Sequence, residues 1–193
     1  MAIPARALQH EPEHSNSGET QYAPALWLVW FSRVAPVLLL LAALLMRLYQ
    51  LNVPFDRDGY DEGVYWQSLR AMHAGQGLYH AIFYSQPPAF LLSMYPIFAL
   101  FGSSLWSARL GIALISLLGF VGAYLLGKSL AGRAGMLVAL LLLLLTPFYL
   151  AESQTLQAEG PSVALTLLAI GLALLWWQQP AGRRGISLAA LCG

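Results

Sequence analysis

Charge is what this sequence has least of. Only 10% of its 193 residues are Asp, Glu, Lys or Arg, whereas a water-soluble domain carries about 25%. A surface so poor in charge does not suit water, and with 58% hydrophobic residues the matching solvent is a lipid bilayer. A net charge of +1 says nothing about nucleic acid, but no basic block is present and no nucleic-acid partner is expected. There is one cysteine, Cys192, which excludes an intramolecular disulfide and reads as inert apolar packing. An early apolar core is missing as well. Residues 1–24 are polar, so no cleavable signal peptide is expected and the segment reads as a disordered cytoplasmic tail. His10 and His14 have helical spacing there, but a disordered tail holds no metal site.

Long apolar runs are what is present. A helix needs about 20 apolar residues, within a range of about 17–25, to cross a bilayer. Runs at 34–51, 105–126, 136–150 and 161–177 serve as spans, and 185–193 starts another. The chain therefore reads as the N-terminal part of a longer protein. The run from Pro88 to Phe101 is shorter and contains Pro96, so it is assigned to the membrane surface. With the N-terminus cytoplasmic, this assignment places Lys128, Arg133, Arg183 and Arg184 inside, as basic residues prefer. It leaves the loop 52–104, Glu152 and Glu159 outside. Trp176 and Trp177 then anchor the opposite interface. The expected fold is all-α: a polytopic transmembrane helical protein, spanning 25–193, with juxtamembrane helices in its first external loop.

That loop gathers all the aspartates, Asp56, Asp58 and Asp61, with Glu62 beside them. Tyr65, Leu69 and Met72 recur at helical spacing and Gly75 supplies a stop, so Asp61 falls at the N-cap or in the first turn of a helix. Unpaired N–H groups and positive potential there keep a carboxylate ionised and fixed in direction. Tyr60, Tyr65, Trp66 and Tyr79 offer flat faces of the kind that stack on sugars. The sequence "DRD" (Asp56, Arg57, Asp58) has the form of a metal-binding DxD, but Arg57 neutralises its neighbours and a charge-paired turn is preferred. By position alone, simple helix capping is the stronger reading of Asp61.

The order of segments adds to this. A first span is followed by D-E-G-x-Y opening a short helix. Then come "FYSQPPAF", "SSLWSARLGIALISLLG" and "GKSLAGRAGMLVALLLLLLTPFYLAESQTLQAEGPSVALTLLA". Over residues 34–180 this resembles the GT-C glycosyltransferases of the protein O-mannosyltransferase and aminoarabinose-transferase type. The resemblance implies transfer of a sugar, with inversion, from a polyprenyl-phosphate donor to an acceptor on the non-cytoplasmic face. It implies that Asp61 and Glu62 are catalytic, with Asp61 as general base. Arg109 would meet the donor phosphate or pair with Asp58 or Asp61, and Glu159 would help line the site. Ser85 and Gln86 precede the double proline where relatives carry charged residues or a histidine, so they would bind substrate through hydrogen bonds alone. Tyr65 completes the substrate-binding set with Arg57, which like Arg70 and His80 is a weaker phosphate candidate that an ordinary solvated loop residue would also explain. No cofactor is implied, with a divalent metal left open, and the partners are the lipid donor, membrane lipids and an unspecified acceptor. The leucine-rich style of the sequence fits a bacterial cytoplasmic membrane, and the chain alone is expected to be inactive. The alternative is a non-enzymatic polytopic membrane protein, a transporter or assembly subunit, which span interiors of Leu, Ala, Ile, Val and Gly disfavour.

Overall fold

The computed structural model describes residues 26–49, 51–53 and 59–178. Its helices are α1 (Leu26–Leu48), α2 (Gly59–His73), α3 (Ala89–Phe101), α4 (Leu105–Leu145), α5 (Pro147–Glu152) and α6 (Glu159–Gln178). Among the described residues there is no strand, only an isolated bridge between Leu78 and Ile82. The fold is all-α.

α4 is two limbs. Ala131 (φ −140, ψ 28) and Gly132 (φ 59, ψ −138) interrupt it, and only glycine adopts the second conformation without strain. The chain reverses there: a Cβ on Gly127 would lie 2.4 Å from the carbonyl oxygen of Gly135. Further along, Tyr149 Oη donates to the Ser116 carbonyl at 2.6 Å. The limbs 105–130 and 133–145 thus run antiparallel. The first continues past the 105–126 read from hydropathy. The second bends at Thr146, where Pro147 opens α5, as proline suits a first helical position.

α6 runs parallel to the first limb and approaches it through glycine. A Cβ on Gly122 would fall 2.3 Å from the carbonyl carbon of Leu167, and Gly119 faces Ala164. Gln178 Nε2 donates to the Ser129 carbonyl at 3.2 Å. Small residues of this kind allow helices in lipid to gain van der Waals contact along their backbones. α1 runs antiparallel to the first limb, with Arg47 beside Ser116 and Pro36 beside Tyr124.

α2 and α3 lie across the start of α4. Tyr65 and Leu69 of α2, Leu91, Met94 and Phe98 of α3, and Ala108 and Ile112 of α4 share one core, with Met72 packed against it. The three- and four-residue spacings put these side chains on single helix faces. Gly75, at φ 85, terminates α2 just past its last turn, and Pro88 stands immediately before α3. All four described carboxylates, Asp61, Glu62, Glu152 and Glu159, gather at this end of the bundle. Arg33, Lys128 and Arg133 occupy the other.

α4 and α6 are each long and apolar enough to cross a membrane. Leu142, Leu145 and Leu165 are exposed along them, which fits lipid rather than water. The molecule is an integral membrane protein.

Candidate active site

The site is built on the first turn of α2. Gly59 begins the helix, so Asp61 and Glu62 both lie in its first turn, where the helix field favours carboxylates. Successive residues on a helix point about 100° apart, and the two acids consequently part company. Glu62 is 2% exposed and turns inward. Asp61 is exposed.

Glu62 meets Arg109, which is also 2% exposed. Arg109 Nε donates to Oε1 at 2.7 Å and Nη2 donates to Oε2 at 2.6 Å, the two-pronged geometry that guanidinium and carboxylate share. Glu62 Oε1 also accepts the Leu156 backbone N–H at 2.8 Å. Arg109 Nη1 donates to the carbonyl of Leu51 at 3.1 Å and to that of Val53. One ion pair therefore ties together the segment after α1, the start of α2, the first turns of α4 and the loop between α5 and α6. The partner of Arg109 is Glu62, not Asp61. Asp58, the other partner considered, lies outside the described residues.

Asp61 is left exposed, and among the described residues the knot does not include it. Tyr65, one turn further along, has its hydroxyl pKa raised by burial and then by the negative charges of Asp61 and Glu159. The charges of Asp61 and Glu159 thus both act on that hydroxyl. Glu159 is the first residue of α6 and exposed. Tyr65 is buried, packed edge-on against Tyr84 at 6.1 Å and Phe90 at 5.0 Å, so its ring faces are used by the core.

Ser85 is exposed and Gln86 half-buried. The Gln86 carbonyl accepts the Tyr79 hydroxyl, which pins the turn before the double proline. Arg70 is exposed beside Trp66, its guanidinium 5.3 Å from the ring centre; His80 is exposed as well. Arg57, Asp56, the tail 1–24 with His10 and His14, Arg183, Arg184, Cys192 and the run 185–193 lie outside the described residues. Among the described residues, no three His, Cys, Asp or Glu side chains cluster as a metal ion requires.

An open cleft of about 710 Å³ lies along the outer face of α2, lined by Tyr60, Val64, Gln67 and Ala71 and closed by Ile82 and Phe83. Its walls carry aromatic rings and amides but no ionised group.

Arg47 escaped attention in the sequence. It is fully buried, with Nε donating to Ser116 Oγ at 2.9 Å and Nη1 to the Ala43 carbonyl at 3.2 Å. Its guanidinium sits 4.7 Å from the Phe120 ring centre and 5.0 Å from that of Tyr149. Among the described residues, Nη2 has no hydrogen-bond partner. A lone ionisable residue inside an apolar run was the signal that could have marked it.

Against known proteins, a family model described as dolichyl-phosphate-mannose-protein mannosyltransferase matches residues 85–193. No curated protein and no solved structure matches the chain. The matched segment is more than half of the sequence and holds Arg109 and Glu159, while Asp61 and Glu62 stand just ahead of it. With an all-helical membrane bundle and a buried Glu62–Arg109 pair joining that segment to the acidic loop, the chain belongs to the dolichyl-phosphate-mannose-protein mannosyltransferase family.

Proposed function

We propose that this chain carries the acidic loop of a membrane glycosyltransferase that takes its sugar from a polyprenyl-phosphate donor, with Asp61 as general base. The observation that carries the reading is the division of labour between neighbouring carboxylates. Glu62 is engaged by Arg109, and Asp61, one residue before it, is exposed in the first turn of α2.

In this reading the acceptor hydroxyl attacks the anomeric carbon as the bond from that carbon to the donor phosphate breaks. Asp61 takes the hydroxyl proton, and the lipid phosphate leaves with its negative charge. A single displacement inverts the anomeric centre. A carboxylate within hydrogen-bond reach of the acceptor serves as base near neutral pH. Its place in the first turn of α2 is one where a helix favours an acidic side chain. Glu62 and Arg109 set the position of Asp61 by locking the first turn of α2 to α4 and to the Leu156 loop. Glu159, whose charge acts with that of Asp61 on the Tyr65 hydroxyl, helps define the acceptor side. The gathering of Arg33, Lys128 and Arg133 at the far end supports placing Asp61 on the non-cytoplasmic face of the membrane.

The test is turnover of a polyprenyl-phosphate sugar by the full-length protein with Asp61→Asn. Loss of a general base slows transfer by about 10²–10⁴-fold, and the thermal midpoint should stay where it was because Asp61 is exposed. Turnover equal to that of the parent would remove Asp61 from the chemistry.

A further inference from the structure

The far end of the bundle holds a groove that the proposed chemistry does not use. α1 supplies one wall through Pro36, Val37 and Leu40. The first limb of α4 supplies the other through Phe120, Val121 and Tyr124, and Leu140 closes the floor; the volume is about 230 Å³. The rim is open, with Val37 64% and Val121 41% exposed, whereas Phe120 and Leu140 are buried. Apart from the Tyr124 hydroxyl, the lining is hydrocarbon.

Each wall carries a cation one helical turn beyond its last lining residues. Arg33 is one turn before Val37 on α1 and exposed; side chains three and four apart share a helix face. On α4, Lys128 is one turn beyond Tyr124 and exposed, its Nζ 3.5 Å from the Tyr124 hydroxyl oxygen and 5.4 Å from the ring centre. An apolar trough that ends between two cations matches a molecule with a hydrocarbon tail and an anionic head. Basic pockets between membrane helices bind lipid headgroups in this way.

We propose that this groove is a binding site for an anionic phospholipid, its acyl chain between α1 and α4 and its phosphate between Arg33 and Lys128. The sugar donor does not fit the same arrangement. Lys128 lies nineteen residues along one helix limb from Arg109, about 28 Å at about 1.5 Å per residue. A phosphate held at Lys128 is therefore at the membrane face opposite Asp61.

The experiment is native mass spectrometry of the purified full-length protein with phosphatidylglycerol, with phosphatidylcholine of the same chains, and with polyprenyl phosphate. Phosphatidylglycerol should be retained preferentially. Arg33→Gln and Lys128→Gln should each lower its retention about fivefold, in keeping with the contribution of one basic residue at an anionic lipid surface. Arg70→Gln, a cation removed at the other end, should leave retention unchanged, and Val37→Trp, on the open rim, should lower retention of both phospholipids. Equal retention of the two phospholipids, indifference to Arg33→Gln and Lys128→Gln, or an equal loss with Arg70→Gln would overturn the proposal. Displacement of phosphatidylglycerol by polyprenyl phosphate would assign the groove to the donor tail instead. A lower thermal midpoint in Val37→Trp with lipid retention intact would mean that protein fills it.

Discussion

Breaking the Glu62–Arg109 pair should damage stability more than any other single change at the site. Arg109→Met removes both prongs to Glu62 and both donors to the Leu51 and Val53 carbonyls. It leaves a carboxylate that is 2% exposed with only the Leu156 N–H as partner. Stranding a buried charge costs about 3–5 kcal/mol. For a chain of this size about 2–4 °C accompanies each kcal/mol, so the thermal midpoint in detergent should fall by about 6–20 °C. Glu62→Leu strands the guanidinium and should cost a similar amount. The double variant Glu62→Leu/Arg109→Met buries no charge, so it should recover about 2–3 kcal/mol relative to the sum of the singles. Protection of the Leu156 amide against hydrogen exchange, read in parallel, should fall in Glu62→Leu. Additivity of the two singles within about 0.5 kcal/mol would refute the coupling. Arg109→Lys separates structure from ligand binding: it keeps the charge but loses the fork. A weaker KM for the lipid donor with an unchanged midpoint would return Arg109 to the phosphate.

Gly122→Ala should lower the midpoint, because the added methyl meets the backbone of Leu167 at 2.3 Å and overpacking costs about 1–3 kcal/mol; chemical denaturation in mixed micelles would measure it. Arg47→Met should leave stability unchanged or raise it, since a hydrophobe of similar length replaces a buried cation with an unpartnered Nη2; a lower midpoint would make Arg47 a stabilising group. The Tyr65 hydroxyl, its pKa raised chiefly by burial, favours the folded state in full below its ordinary value of about 10 and progressively less as pH rises through the shifted value. Alkaline unfolding of the α2–α3 region should therefore be milder in Tyr65→Phe, followed by near-ultraviolet circular dichroism.

What the sequence could disclose depended on range. The helical character of α2 was legible because Tyr65, Leu69 and Met72 keep one face and Gly75 ends it. The gap between 126 and 136 marked a reversal that Gly132 performs. The partner of Arg109 was not legible. Asp58, Asp61 and Glu62 are all acidic and close in sequence, and choosing among them requires the rotational setting of α2 against α4. Tyr65 reads by residue type as a stacking surface, although the periodicity that places it on a helix also places it on the buried face. Arg47 was not legible either, because average hydropathy over a span hides a single guanidinium among leucines. The candidate site was visible as a cluster of acids; which of them pairs with Arg109 became visible only with orientation.

The bond from the Leu156 amide to Glu62 bridges 94 positions of chain. During synthesis the acidic turn emerges long before its last ligand, and it must wait while the helical hairpin of α4 enters the bilayer. For that interval Glu62 lacks one of its native contacts, so quality-control proteases and insertion chaperones would meet an incomplete loop. Any change that delays the arrival of residue 156 lengthens that exposure.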